Sequence, residues 1–194
     1  MKVVIVGGVA GGASAAARLR RINEEAEIVL FERGGYISFA NCGLPYYIGD
    51  VIKNREDLII QTPEKMFERF NIDIRINSEV LRIYRDEKEV EVKDLSGGRT
   101  YREKYDKLIL SPGAEPIKPN IKDINSNKIF TLRNIPDNDA IKDFVVTRKP
   151  GKAVVIGGGF IGLEMAENLR RCNVRVSLVE LSNQVMTPID FEMA

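Results

Sequence analysis

Histidine is absent from the 194 residues, and cysteine occurs only as Cys42 and Cys172. Without histidine, a Ser-His-Asp triad, Cys-His proteolysis and most zinc catalysis are excluded, and no metal site is expected. The acid–base groups that remain are carboxylates, Lys, Tyr and Cys. The two cysteines make neither a C-x-x-C pair nor a disulfide framework. Excess charge is lacking too: Lys and Arg total 29 against 28 for Asp and Glu. Nothing in that balance points to nucleic acid or an anionic membrane as a partner. The opening apolar run, Val3 to Val6, is far too short for a signal peptide or a membrane span. The cytoplasm is the expected location.

What is present is a pattern written twice. Lys2 to Val6 is a continuous apolar run, hence a buried strand; a glycine turn follows, then an Ala-rich helix from Ala10 to Ile22 and a strand from Glu27 to Phe31. About 150 residues later the same order returns: strand Lys152 to Ile156, glycine turn, helix Phe160 to Cys172, strand Arg175 to Val179. Between them, Thr62 and Pro63 open a helix to about Phe70. Val80 to Asp86, Glu89 to Asp94 and Arg99 to Lys104 suit a three-stranded meander, and Asp106 to Leu110 a further buried strand. Residues 114–127 are rich in Pro, Asn and Lys and suit a linker, followed by a helix from Pro136 to about Thr147. The expected divisions are residues 1–113, a linker and helix over 114–149, and a second unit from 150. That unit holds only two strands before Ala194, too few for a viable parallel sheet, so the sequence reads as the first part of a longer protein.

The second turn, Gly157-Gly158-Gly159-Phe160-Ile161-Gly162, is a full G-x-G-x-x-G. Gly157 suits the tight turn, Gly159 a close backbone approach to pyrophosphate, and Gly162 close helix–strand packing. The phosphates would rest on the free N–H groups at the helix start. Glu180, 18 residues beyond Gly162, is placed to bind a ribose 2′-hydroxyl, and Leu181-Ser182-Asn183 supplies no Arg for a 2′-phosphate. NADH is therefore expected over NADPH. The first turn, Gly7-Gly8-Val9-Ala10-Gly11-Gly12, has Val9 in place of the middle glycine, and Glu32 follows Gly12 by 20 residues. Either Val9 displaces the pyrophosphate outward or Gly11 provides the close approach. Two such turns, each between strand and helix and each followed by an acidic strand end, favour dinucleotide sites over glycines that merely pack helix on sheet.

Ser38-Phe39-Ala40-Asn41-Cys42-Gly43-Leu44-Pro45-Tyr46-Tyr47-Ile48-Gly49 lies between the two units. A short helix over Gly43 to Ile48 would place Cys42 at its N-terminus, where the dipole favours thiolate. Cys172, in the last turn of its helix, suits an inert buried thiol instead. These residues, with the two glycine turns, Tyr105 to Pro116 and Thr131-Leu132-Arg133-Asn134, resemble the single-cysteine branch of the pyridine nucleotide-disulfide reductases over the whole chain. That branch contains NADH peroxidases, NADH oxidases and coenzyme A-disulfide reductases.

The resemblance implies an α/β, FAD/NAD(P)-binding Rossmann-like fold. FAD would bind the first turn and NAD(P)H the second, with hydride passing through flavin to Cys42. It implies FAD contacts from Gly7, Gly8, Val9, Ala10, Gly11, Gly12, Glu32, Arg33, Asn41, Val80, Ser111, Pro112, Gly113, Ala114 and Arg133. For the nicotinamide side it implies Gly157, Gly159, Phe160, Ile161, Gly162, Glu164 and Glu180. Phe160, by this likeness a gate over the flavin, suits plain packing equally well. Peroxidases and oxidases carry a histidine in the first turn where Ala10 stands here, so the likeness is to coenzyme A-disulfide and persulfide reductases. By that likeness coenzyme A would contact Ser14, Arg18, Arg21, Ser38 and Asn41. Residues 14, 18 and 21 share one helical face, which is otherwise a solvated basic face. Phe70 stands where such reductases often carry a lysine. The implied substrate is a small-molecule disulfide or persulfide, with oxygen or peroxide as the alternative acceptor. The implied assembly is a homodimer of the full-length enzyme, and a dinucleotide-binding piece without turnover is the alternative of another kind.

Overall fold

The computed structural model describes Met1–Ala194. The chain divides into two compact units, Met1–Phe39 with Ile59–Ala114, and Ala40–Leu58 with Glu115–Ala194.

The first unit is built on a parallel sheet of four strands in the order β5-β2-β1-β9, with β1 Lys2–Val6, β2 Glu27–Phe31, β5 Asp73–Arg75 and β9 Lys107–Leu110. The central strands β1 and β2 are apolar on both sides because both faces are covered. Val3, Ile5, Ile28 and Leu30 join Ala16 of helix α1 (Gly11–Ile22) and Met66 of helix α3 (Pro63–Phe70). Val4, Val29 and Phe31 face the other way and pack on Val90 and Val92. Those last two belong to an antiparallel meander of β6 Ser78–Tyr84, β7 Glu89–Asp94 and β8 Thr100–Lys104. A short ladder of β3 Ser38–Phe39 and β4 Ile59–Gln61 completes the unit. Arg20 secures α1 to the end of α3, donating to the Phe70 carbonyl at 2.7 Å and the Asn71 carbonyl at 2.9 Å.

The second unit has a parallel pair, β10 Lys152–Ile156 and β11 Arg175–Val179, with helix α5 Phe160–Arg171 between them in sequence. Ala153, Val155 and Val176 pack under Met165 and Leu169 of α5 and Ile141 and Val145 of helix α4, Ile135–Arg148. Val154, Ile156 and Val179 face outward and are exposed.

The main departures from the sequence expectations are these. The cysteine segment, Ala40–Leu58, was assigned to residues 1–113 but packs with the second unit. Helix α1 begins at Gly11 instead of Ala10. The expected helix over Gly43 to Ile48 is a 3-10 turn at Asn41–Gly43 followed by α2, Leu44–Ile48, so Cys42 lies inside that turn.

Candidate active site and dinucleotide loops

The four helices of eight residues or more start in two different ways. The Thr62 side chain accepts from the Lys65 amide at α3, and Asn134 accepts from the Asp137 amide at α4. Each of those helices also carries an acid in its first turn, so its positive end is already satisfied. The helices behind the glycine turns have neither device. Ala10 precedes α1 and Gly159 precedes α5, with no side-chain cap and no acidic residue in the first turn. The free amides of α1 and α5 fit an anionic group such as a pyrophosphate.

The turns meet the same packing demand in both units. A Cβ on Gly12 would stand 1.8 Å from the Gly7 carbonyl oxygen, and one on Gly162 1.9 Å from that of Gly157. Gly7 and Gly157 take left-handed φ values of 87° and 102°. Ser111, whose amide donates to the Val6 carbonyl at 2.7 Å, closes the first turn: a Cβ on Gly7 would meet its carbonyl oxygen at 2.0 Å. Pro112, Gly113 and Ala114 continue from it along the exposed end of β9. Gly159 has open space around its Cβ direction, with nothing within 4 Å. Its counterpart Val9 adopts φ 50°, a conformation that a β-branched residue rarely takes. Its amide donates to the Ile37 carbonyl at 2.7 Å.

Other expected residues lie as follows. Ser14, Arg18 and Arg21 share the exposed face of α1, and Ser38 is half-buried in β3. Val80 pairs with Val92 next to a register shift in β6. Arg33 lies 3.9 Å from Glu79, and the Arg133 amide donates to Asp137 at 2.9 Å. Phe160 and Ile161 are exposed.

In the second unit, the cysteine-bearing segment is fastened to α4 and α5 from several directions. Lys142 Nζ donates to the Tyr47 carbonyl at 2.9 Å, the Ile48 carbonyl at 3.2 Å and Asp50 at 2.5 Å, closing the C-terminal end of α2. Arg55 grips Asp139 with its Nε and Nη2 at 2.7 to 3.0 Å. Gly49 lies against the buried Asn168: a Cβ there would be 2.1 Å from its Oδ1. Tyr46 was not anticipated from sequence. The negative charge of Glu164, with burial and the charge of Glu167, raises its phenol above the ordinary range.

The two thiols differ in setting. Cys42 and Asn41 are exposed. Cys172 is half-buried and its S–H donates to the Ile48 carbonyl at 3.3 Å. Burial pushes that thiol up. Iodoacetamide at neutral pH should therefore label Cys42 at least about tenfold faster than Cys172, since the thiolate is the nucleophile. Peptide mass spectrometry over a time course checks this, and faster labelling of Cys172 contradicts it.

Residues 1–194 match the family profile of pyridine nucleotide-disulphide oxidoreductases. The chain belongs to that family. A coenzyme A disulfide reductase from Staphylococcus aureus (strain JH9) is 40% identical over 192 residues, covering 99% of this chain and 43% of that protein. Reduced Bacillus anthracis CoADR-RHD superposes with a TM-score of 0.97 at 60% identity, over 100% of this chain and 35% of the other. The NAD-dependent persulfide reductase from A. fulgidus gives 0.95 at 34% identity, over 100% and 37%. The chain thus spans less than half the length of the oxidoreductases it matches. No helix is long and apolar enough to cross a membrane.

Proposed function

We propose that this chain is the dinucleotide-binding and thiol-bearing part of an NADH-dependent flavoprotein that reduces coenzyme A disulfide or a persulfide through Cys42. The observation that carries this is the pair of uncapped glycine-turn helices in a chain whose one exposed cysteine occupies the 3-10 turn at Asn41–Gly43. The first turn, with Glu32, Arg33, Val80, Ser111 to Ala114, Asn41 and Arg133, would hold FAD. The second, with Phe160, Ile161, Glu164 and Glu180, would hold NADH. Bound flavin supplies a two-electron carrier between nicotinamide and thiol. The exposed Ser14, Arg18 and Arg21 offer a hydroxyl and two guanidinium groups to coenzyme A phosphates, with Ser38 and Asn41 as further contacts. Ala10, in the place of a histidine, weighs against an oxidase or peroxidase. The whole enzyme is proposed to be a cytoplasmic homodimer.

Incubating the full-length enzyme with NADH and coenzyme A disulfide, or with NADH and oxygen alone, decides between these acceptors. Rapid NADH loss only with the disulfide supports the proposal, and equal loss with oxygen alone overturns it. The same assay reads nucleotide choice. Backbone amides from Ser182 and Gly158 hold the Glu180 carboxyl below its ordinary range, so it is charged at neutral pH. A 2′-phosphate there meets like charge, and kcat/KM should favour NADH over NADPH by about 10–100-fold. Equal values contradict the assignment of Glu180.

A further inference from the structure

In G-x-G-x-x-G the second position is free, yet both turns carry glycine there, Gly8 and Gly158. Both residues are buried. A Cβ on Gly8 would stand 3.0 Å from the Ile37 carbonyl oxygen and 3.3 Å from Glu32 Oε2. One on Gly158 would stand 2.9 Å from Val185 Cγ1 and 3.1 Å from Glu180 Oε2. The crowding atom common to both is the carboxylate at the end of the following strand. Glu32 Oε2 accepts from the Gly8 amide at 2.8 Å, and its Oε1 accepts from the Gly34 amide at 2.7 Å. Glu180 repeats this, with Gly158 at 2.5 Å and Ser182 at 2.9 Å. Each carboxylate therefore ties the glycine turn ahead of a helix to the chain that leaves the second strand.

We propose that Glu32 and Glu180 are positioning residues that hold the backbone of the two phosphate-binding turns in shape, in addition to any bond with a ribose hydroxyl. This rests on the dinucleotide-binding function proposed above. Glycine-rich backbone loses more conformational freedom on ordering than any other. A turn tied during folding spares the ligand that ordering cost. Hydrogen bonds to a carboxylate are about twice as strong as neutral ones. Each oxygen keeps a second lone pair, so acceptor capacity for a ribose hydroxyl remains.

The test uses the full-length enzyme, its Glu180→Ala variant, and two probes. These are ADP-ribose and an analogue lacking both hydroxyls of the adenosine ribose. The analogue leaves the carboxylate nothing to bind, so a change in its affinity reports the turn alone. Glu180→Ala should weaken the analogue about tenfold. Hydrogen exchange at the Gly158 and Ser182 amides should accelerate about tenfold, while Gly8 and Gly34 exchange as before and attest that the first unit is folded. If Glu180→Ala does not fold, Glu180→Gln, which keeps the shape but loses one acceptor, should shift both readouts in the same direction. Both shifts are required, and an unchanged value in either overturns the proposal. If the wild-type enzyme binds neither probe, the dinucleotide assignment of the second turn fails. The exchange measurement then decides the positioning role alone.

Discussion

Replacing Cys42 with serine is expected to abolish disulfide reduction in the complete enzyme while leaving transfer of hydride from NADH to flavin intact. In the proposed reaction the Cys42 thiolate attacks one sulfur of the disulfide. A mixed disulfide forms and the other sulfur leaves as a thiolate. Cleaving the mixed disulfide takes two electrons, which NADH and bound flavin would supply, and releases both the Cys42 thiolate and the second substrate thiolate. A serine hydroxyl cannot enter the first exchange, so kcat should fall by at least about 10⁴-fold. Stopped-flow absorbance should still show flavin bleaching at the wild-type rate. The contrast is Cys172→Ser. That change exchanges one weak S–H donor to the Ile48 carbonyl for a hydroxyl, and stability should move by no more than about 1 kcal/mol. Retained disulfide reductase activity in Cys42→Ser would remove the thiol from the mechanism.

Adding one methyl group at Gly12 should be among the most damaging small changes in the first unit. Its Cβ would lie 1.8 Å from the Gly7 carbonyl oxygen and 3.2 Å from Ile5 Cγ2. The first of these atoms is backbone and cannot swing aside. Helix α1 would have to lift off β1, uncovering Ala16, now fully buried. Overpacking of this kind costs about 1–3 kcal/mol and sometimes more, against a total stability of about 5–15 kcal/mol. Gly12→Ala should lower the Tm by roughly 4–10 °C, read by circular dichroism, and weaken FAD binding with it. Gly159→Ala separates packing from binding. Its Cβ meets nothing within 4 Å, so the Tm should hold while dinucleotide affinity drops, because the methyl occupies the approach to the turn. A Gly12→Ala protein with wild-type Tm would show that α1 does not need the close contact.

Much of the fold could be read from the sequence because its strongest signals are local. The apolar runs of β1, β2, β10 and β11 were placed residue for residue, and Thr62 was identified as the start of α3. Short edge elements were missed. β5 has three residues and β3 only two, too few for any periodicity to emerge. The left-handed Val9 was also invisible, since nothing in its own side chain favours that conformation. The larger omission was the allegiance of Ala40–Leu58. Its attachment depends on Lys142, Asp139, Asn168 and Cys172, more than 80 positions away, and no local pattern reports so distant a partner. Tyr46 went unnoticed for the same reason: its significance lies in Glu164, on another helix.

That long-range attachment sets a timetable for synthesis. Cys42 leaves the ribosome 130 residues before Cys172, whose helix supplies part of the seat for α2. At about 5–20 residues per second, the nascent chain spends roughly 7–26 seconds with Cys42 made and its docking surface still unmade. β3 and β4 can pair meanwhile, holding the two ends of residues 40–58 together as a loop. The cysteine segment is thus tethered early and seated late.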